Sequence, residues 1–209
     1  MEQPQSWSGP TGPWNSITTN SDYIFVIDNA VPEWLIKSID EQFYRVPMEW
    51  NHYSYPGSKP FFGKTWYNQR TGQSEQAPWA VYALGDLIRH QVLPAVAGDA
   101  QFQHYVRINL NAYPRGYDGG AHVDFDDDVS LWSVLYFVND SDGTTRFYKS
   151  PTDMTPLIDA EAKKGRILMF PACYQHQALA GTGELRMTVN YGMRIQSILN
   201  EIAYAGDRK

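Results

Sequence analysis

Three residues of the sequence have the types and the spacing of a metal-binding set. Its five histidines are His52, His90, His104, His122 and His176. Only His122 has a carboxylate two residues on, Asp124. Residues i and i+2 of a strand project from the same face, so both side chains can reach one ion. His176 is the only histidine downstream and is the expected third ligand. Two histidines and one carboxylate on one face, with open positions, suit non-haem Fe(II) and oxygen chemistry.

The context of these residues strengthens a signal that is weak alone. His-x-Asp by itself also fits an ordinary surface histidine or a core histidine with satisfied hydrogen bonds. Gly119 and Gly120 precede the motif, as expected where the backbone closely approaches a ligand. A Gly-Thr-Gly turn, residues 181–183, follows His176.

Arg186 is the candidate anion-binding residue. It lies ten residues past His176, and we expect a hairpin centred near Thr182 to bring it back beside that histidine. A buried arginine in an apolar strand needs an anion to offset its desolvation. A dicarboxylate that chelates the metal at one end would present its far carboxylate to this guanidinium. The alternative is an ion pair with Glu184 or another surface acid.

Two polar residues share the predicted strand face of Arg186. Thr188 and Asn190 alternate with Arg186 along residues 184–194, so their side chains project from the same face. Both are candidates for further polar contacts with the same ligand.

The elements that must hold these residues are short strands after a helical region. Turn clusters separate the runs, which is typical of a sandwich or barrel rather than a doubly wound sheet. The predicted strands are 102–113, 120–125, 130–138, 144–149, 166–171, 174–179 and 184–194. The catalytic core is expected over about 101–195.

Helical support is expected over about residues 30–96. Asn29 can cap a helix that opens at Pro32, and Pro78 opens a second helix that ends near Pro94. Residues 51–78 between them are predicted to be irregular. Residues 1–20 are expected to form a flexible arm, and 21–209 a single domain.

Composition restricts the partners and the compartment. The net charge of -6 and pI of about 5.3 disfavour a phosphate backbone as partner. The single cysteine, Cys173, excludes an intrachain disulfide. The first residues lack a secretory signal, and no stretch approaches the ~20 apolar residues of a membrane span. These features favour a cytoplasmic protein without a membrane partner.

From about Tyr105 to Arg194 the chain resembles the 2-oxoglutarate/Fe(II) dioxygenases, and within them the prolyl-4-hydroxylase-like branch. The segments follow the family's order and approximate spacing. The intervals from Tyr113 to His122 and from His176 to Arg186 are the most specific. The matching segments are 111–116, His122-Val123-Asp124, 135–139, 143–147, 163–165, Met169-Phe170, His176 and Arg186.

The resemblance implies a mainly β fold, a double-stranded β-helix of the jelly-roll or cupin-like kind braced by helices. It implies that Tyr113 hydrogen-bonds 2-oxoglutarate and that Arg186 binds its distal carboxylate. The implied reaction uses O2 to hydroxylate a C–H bond and decarboxylates 2-oxoglutarate to succinate and CO2, with ascorbate as a supporting reductant. Related halogenases replace the carboxylate at Asp124 with a small residue, so the resemblance implies hydroxylation.

Three departures from the family's pattern leave the substrate open. Phe137 stands where many prolyl hydroxylases have Tyr, Asp142 replaces the first glycine of a Gly-Gly pair, and Gly192 replaces a common Trp. A peptidyl proline, a free amino acid and another small metabolite remain as substrates. The acidic run Asp126–Asp128 is either a docking surface for a basic peptide or a solvated loop.

Three other functions remain as alternatives. Nucleic-acid demethylases of the same superfamily share the motif, but the acidic pI and the absence of a basic patch disfavour them. A cupin-like module could bind a metal or small molecule without turnover. A structural or interaction protein ranks last, because it would not need the metal-binding set.

Overall fold

The computed structural model describes residues 16–20, 23–51, 59–125, 128, 130–183 and 185–196, with only the backbone given for 16–20. The strands are β1 Ser16–Asn20, β2 Ile24–Asp28, β3 Glu49–Asn51, β4 Phe61–Asn68, β5 Gln73–Ser74, β6 Gln101–Pro114, β7 Leu131–Phe137, β8 Ser141–Tyr148, β9 Pro156–Ala162, β10 Ile167–Pro171, β11 His176–Leu179 and β12 Leu185–Gln196. The helices are α1 Glu33–Phe43, α2 Trp79–Leu87 and α3 Leu93–Val96, with a π-helical turn at Ile88–Val92 between the last two.

Two antiparallel sheets contain the strands of the described residues. The larger has the order β1-β2-β10-β7-β12-β6-β4-β3, with β5 paired to β4. The smaller has the order β11-β8-β9. Strands that are distant in sequence are neighbours in the large sheet, and in the small sheet β11 pairs with β8 rather than with the strand before it.

Alternating side chains give the large sheet two different faces. On one face Leu110, Val189 and Tyr191 pack with Leu35 and Leu84 of α1 and α2 in the main hydrophobic core. The opposite face carries an apolar cluster that includes Leu135, Phe137 and Phe147, the last from the small sheet. The two sheets therefore face each other, and the helices cover the outer face of the large one.

The two predicted helices form, with differences at their ends. The N-cap position of α1 is Pro32, so Asn29 lies three residues too early to cap the helix, and no side chain caps it. The second helix ends at Val96, close to the predicted end near Pro94. It reaches Val96 through a π-helical turn that was not predicted, where the Leu93 N–H bonds the Ile88 carbonyl. A wider turn accommodates a proline that lacks an N–H.

Three expectations about the chain differ from the structure. Residues 51–78 are not wholly irregular, since they contain β4 and β5 of the large sheet. Residues 16–20 of the expected arm pair with β2 as β1, and residues 1–15 lie outside the described residues. The predicted strand 120–125 is not a regular strand but an extended segment with an isolated bridge between His122 and His176. None of the described helices is long and apolar enough to cross a membrane.

Candidate metal and co-substrate site

The structure brings His122, Asp124 and His176 together between the two sheets. One potential ligand atom from each lies within 4.8 Å of the other two. The Asp124 carboxylate oxygens lie 3.6 Å from His122 Nε2 and 3.8 Å from His176 Nε2. His122 and Asp124 lie on the extended segment, and His176 begins β11. Backbone hydrogen bonds of 2.9 Å in both directions join His122 to His176, so the two elements are held in register.

Both imidazole rings are oriented by backbone carbonyls. His122 Nδ1 lies 2.8 Å from the Gly120 oxygen, and His176 Nδ1 lies 2.8 Å from the Tyr174 oxygen. A carbonyl oxygen only accepts, so Nδ1–H donates and Nε2 carries the lone pair. Burial lowers the pKa of His176 to about 4, so its ring is neutral at neutral pH. Both rings have the tautomer that a metal ligand needs, with Nε2 free to coordinate.

Asp124 is charged and held by two further side chains. Burial disfavours its charge, but Arg107 and the two histidines together hold its pKa well below the usual range. Arg107 Nη2 donates to Oδ1, and Ser133 Oγ donates to Oδ2 at 2.5 Å. A buried carboxylate and two imidazoles form a donor set that fits a divalent first-row metal such as Fe(II).

Arg186 is buried with 2% of its surface exposed, but the expected hairpin is wrong. β11 pairs with β8 and β12 pairs with β6 and β7, so Arg186 lies opposite Tyr113 in register. The chain crosses between the sheets after residue 179 because the pairing partners of β11 and β12 belong to different sheets. Glu184, the alternative ion-pair partner, lies outside the described residues.

The guanidinium of Arg186 reaches from one sheet to the other. Its Nη2 donates to Thr145 Oγ1 on β8 at 2.6 Å, and its Cζ lies 5.3 Å from the Phe137 ring centre. Many prolyl hydroxylases have a tyrosine at the position of Phe137, and here the Thr145 hydroxyl lies beside the same guanidinium instead. His176 pairs with Phe147, which is two residues past Thr145 on β8. Two residues of a strand span roughly 7 Å, so the guanidinium lies about that far along β8 from His176.

No carboxylate of the described residues pairs with this guanidinium. Its Nε is buried without a hydrogen-bond partner, and burial lowers the pKa of Arg186 to about 10. The group stays protonated at neutral pH, so the interior holds a positive charge for which the described part of the chain provides no counter-ion. An anionic ligand would satisfy it.

A glycine and an aspartate shape the wall beside Arg186. A Cβ on Gly143 would overlap the Leu179 carbonyl oxygen and lie 3.0 Å from Arg186 Cδ, so only glycine allows this close approach. Asp142 accepts hydrogen bonds from the backbone N–H groups of Thr182 and Gly183. The Thr182 bonds lower the pKa of Asp142 to about 2. Asp142, which stands where the family has a glycine, therefore holds the loop between β11 and β12 against β8.

The remaining sequence candidates lie on the same inner face. Tyr113 stacks on Phe61 with ring centres 4.9 Å apart and, like Asn190, lines a cavity beside the metal-binding set. Thr188 is buried and lies two residues after Arg186 on β12, so its side chain is on the same face. Of the acidic run, Asp128 pairs with Arg194 at 2.5 Å, whereas 126 and 127 lie outside the described residues.

Sequence reasoning missed Arg107 and Ser133, the two partners of Asp124. A signal for the first exists in β6, where Arg107, Asn109, Asn111 and Tyr113 alternate with buried apolar residues. No local pattern marks Ser133, because it stands within a fully buried strand.

Comparisons with solved structures identify the fold. A 2OG-Fe(II) oxygenase family oxidoreductase from Burkholderia pseudomallei matches with a TM-score of 0.65 and 15% identity over 82% of this chain and 84% of that one. A prolyl hydroxylase from Trichoplax adhaerens, in complex with a hypoxia inducible factor peptide fragment, matches with 0.62 and 13% over 91% and 89%. HygX from Streptomyces hygroscopicus, with nickel and 2-oxoglutarate bound, matches with 0.58 and 13% over 83% of each chain.

The chain has the double-stranded β-helix fold of the 2-oxoglutarate/Fe(II) oxygenases. Within that class it shares the fold of prolyl hydroxylases, so the resemblance seen in the sequence is confirmed for the fold. No family model matches the sequence, and no curated protein matches it significantly.

Proposed function

We propose that the protein is an Fe(II)- and 2-oxoglutarate-dependent dioxygenase that hydroxylates a C–H bond of a peptide or small-molecule substrate. The observation that carries the proposal is one interior that holds both a His-Asp-His set and a buried guanidinium, which has no anionic partner among the described residues. A ligand with a metal-chelating end and a distant carboxylate meets both requirements.

His122, Asp124 and His176 would hold the metal, which when bound supplies the oxygen chemistry of the reaction. Arg186 would bind the distal carboxylate of 2-oxoglutarate, with the Thr145 hydroxyl beside it. Tyr113, Thr188 and Asn190 would add polar contacts along the co-substrate. Arg107 and Ser133 orient the Asp124 carboxylate. The surrounding apolar cluster, including Phe147 and Phe170, excludes water.

Succinate release tests the proposal. The purified chain with Fe(II), ascorbate and 2-oxoglutarate should form succinate slowly even without substrate. His122→Ala should abolish this, because one of three metal ligands is lost. His104→Ala is the matched control: His104 is an exposed histidine on β6, outside the metal-binding set, and the variant should retain succinate formation.

Two results would separate the alternatives. Absence of succinate at any iron loading would contradict the proposal. If the chain still bound one equivalent of Co(II), the non-catalytic cupin-like module would become the better explanation. Succinate release accelerated by methylated nucleic acid would instead favour the demethylase.

A further inference from the structure

A cavity of about 340 Å³ adjoins the metal-binding set on the side of β3, β4 and β6. Most of its lining side chains are polar, unlike typical ligand pockets, which are mainly apolar. Six of them carry a carboxamide: Asn51, Asn68, Gln73, Asn109, Asn111 and Asn190. A carboxamide offers both a donor and an acceptor without net charge.

Two of these carboxamides have unused hydrogen-bonding capacity. Asn109 and Asn190 lie opposite each other on β6 and β12, and the Oδ1 of each is buried without a partner. Asn109 Nδ2 is engaged, since it donates to Asn111 Oδ1 at 2.7 Å. Buried acceptors without partners are costly and rare, so their clustering in one cavity points to a ligand that donates hydrogen bonds there.

Among the described residues, each charged side chain of the lining already has an oppositely charged neighbour. Lys64 Nζ lies 2.5 Å from Glu75 and 3.7 Å from Glu49, and Arg107 pairs with Asp124. A charged ligand would have to break one of these pairs or stay unpaired in a partly buried site. The charge pattern therefore favours an uncharged ligand.

The cavity divides between the two expected ligands. Asn190 lies on β12 with Arg186, on the co-substrate side. Because 2-oxoglutarate only accepts hydrogen bonds, Asn190 would serve it through Nδ2, and Asn190 Oδ1 is left for a donor of the substrate. Asn109 pairs with Thr65 of β4 on its other side, and Asn68 and Gln73 continue the lining there. We call this side of the cavity the β4 wall, because its residues lie on β4 or on the strands paired with β4, and it is left for the substrate. Its residues are Thr65, Asn68, Gln73 and Asn109.

We propose that the substrate is an uncharged small molecule with several hydroxyl or carboxamide groups, which donates hydrogen bonds to Asn109 on the β4 wall. The inference rests on the proposed dioxygenase function and narrows its substrate class. An apolar ring such as a prolyl side chain would leave the carboxamides desolvated and unpaired. A polyol or sugar and a small amide share the required chemistry.

The test measures binding of chosen probes by calorimetry to the full chain loaded with Zn(II) and 2-oxoglutarate, which does not turn over. The hydroxyl arm is myo-inositol and sucrose, and the amide arm is N-acetylglycinamide. Comparison probes are 1-hexanol, L-lysine, L-glutamate and a prolyl peptide. We expect saturable binding in the hydroxyl or the amide arm, and the arm that binds identifies the source of the chemistry.

Asn109→Leu keeps the size of the side chain and removes its polar atoms. It should weaken binding of the probe at least about tenfold. The melting temperature should change little, because the loss of a buried unpartnered acceptor offsets the loss of the hydrogen bond to Asn111 Oδ1. Gln103→Leu is the matched control: an exposed carboxamide on the same strand, outside the cavity. It should leave probe affinity unchanged.

Three results would overturn the inference. One is tighter binding of the apolar, charged or prolyl probe, and another is no binding of a neutral polar probe up to ~10 mM. The third is an Asn109→Leu variant whose 2-oxoglutarate affinity falls as much as its probe affinity. If the protein binds neither Zn(II) nor 2-oxoglutarate, the proposed function fails, but the same probes on metal-free protein still decide this inference.

Discussion

Replacing Arg186 by methionine should have opposite effects on stability and on co-substrate binding. The guanidinium is 2% exposed, its Nε has no partner, and its pKa is lowered to about 10 by burial, so a poorly compensated charge is buried at neutral pH. Exchanging such a charge for an apolar side chain of similar size is neutral or stabilising, by up to about 3 kcal/mol. The free energy of unfolding of the ligand-free chain should therefore stay equal or rise.

The same change should weaken the binding of 2-oxoglutarate by about 3–4 kcal/mol, because two charge-assisted hydrogen bonds to its distal carboxylate are lost. This corresponds to two to three orders of magnitude in the dissociation constant. The assay is denaturant unfolding of the Zn(II)-loaded chain with and without 2-oxoglutarate. At about 100 times the wild-type dissociation constant, 2-oxoglutarate should add roughly 2.7 kcal/mol to the wild type and little to Arg186→Met.

Arg166→Met is the matched control for Arg186→Met. Arg166 is also largely buried, but it forms a bidentate pair with Asp28 at 2.8 and 2.9 Å. Its loss should lower the free energy of unfolding by about 1–2 kcal/mol and leave the 2-oxoglutarate effect intact. A destabilised Arg186→Met that keeps its 2-oxoglutarate response would refute the reasoning, because Arg186 would then have a structural counter-ion.

Three further predictions concern the metal ligand, the crossover loop and acid stability. Ser133→Ala removes a hydrogen bond to Asp124 and should weaken the binding of Co(II) about 10- to 100-fold. An unchanged Co(II) affinity, measured by titration with absorption spectroscopy, would contradict this. Gly143→Ala should destabilise the chain by about 1–3 kcal/mol, measured by urea unfolding, since its Cβ overlaps a backbone carbonyl; equal midpoints would refute it. The hydrogen bond with Arg166 lowers the pKa of Asp28, so the stability it provides is present above the unfolded pKa of about 4 and is lost as pH falls through the folded pKa. The stability difference between wild type and Asp28→Asn should accordingly shrink below about pH 4, and a difference that stays constant on acidification would contradict the assignment.

Much of the site was predictable because it depends on spacing within a short segment. His122 and Asp124 are two residues apart, and extended backbone places such residues on one side even where no regular strand forms. Arg186, Thr188 and Asn190 alternate within one strand in the same way. The helices were predicted from their apolar spacing and their starts from Pro32 and Pro78, whereas the π-helical turn was not predicted.

The sequence by itself determined the residue types of the metal-binding set, the alternation of polar residues along β12 and the mainly β class. Tertiary structure alone decided which strands are neighbours, since pairing joins residues far apart and local periodicity does not encode a partner. For that reason β4 was read as irregular and Arg186 was paired with the wrong strand. For the same reason Arg107 and Ser133 were not recognised as partners of Asp124, because their contact exists only once the sheets have closed.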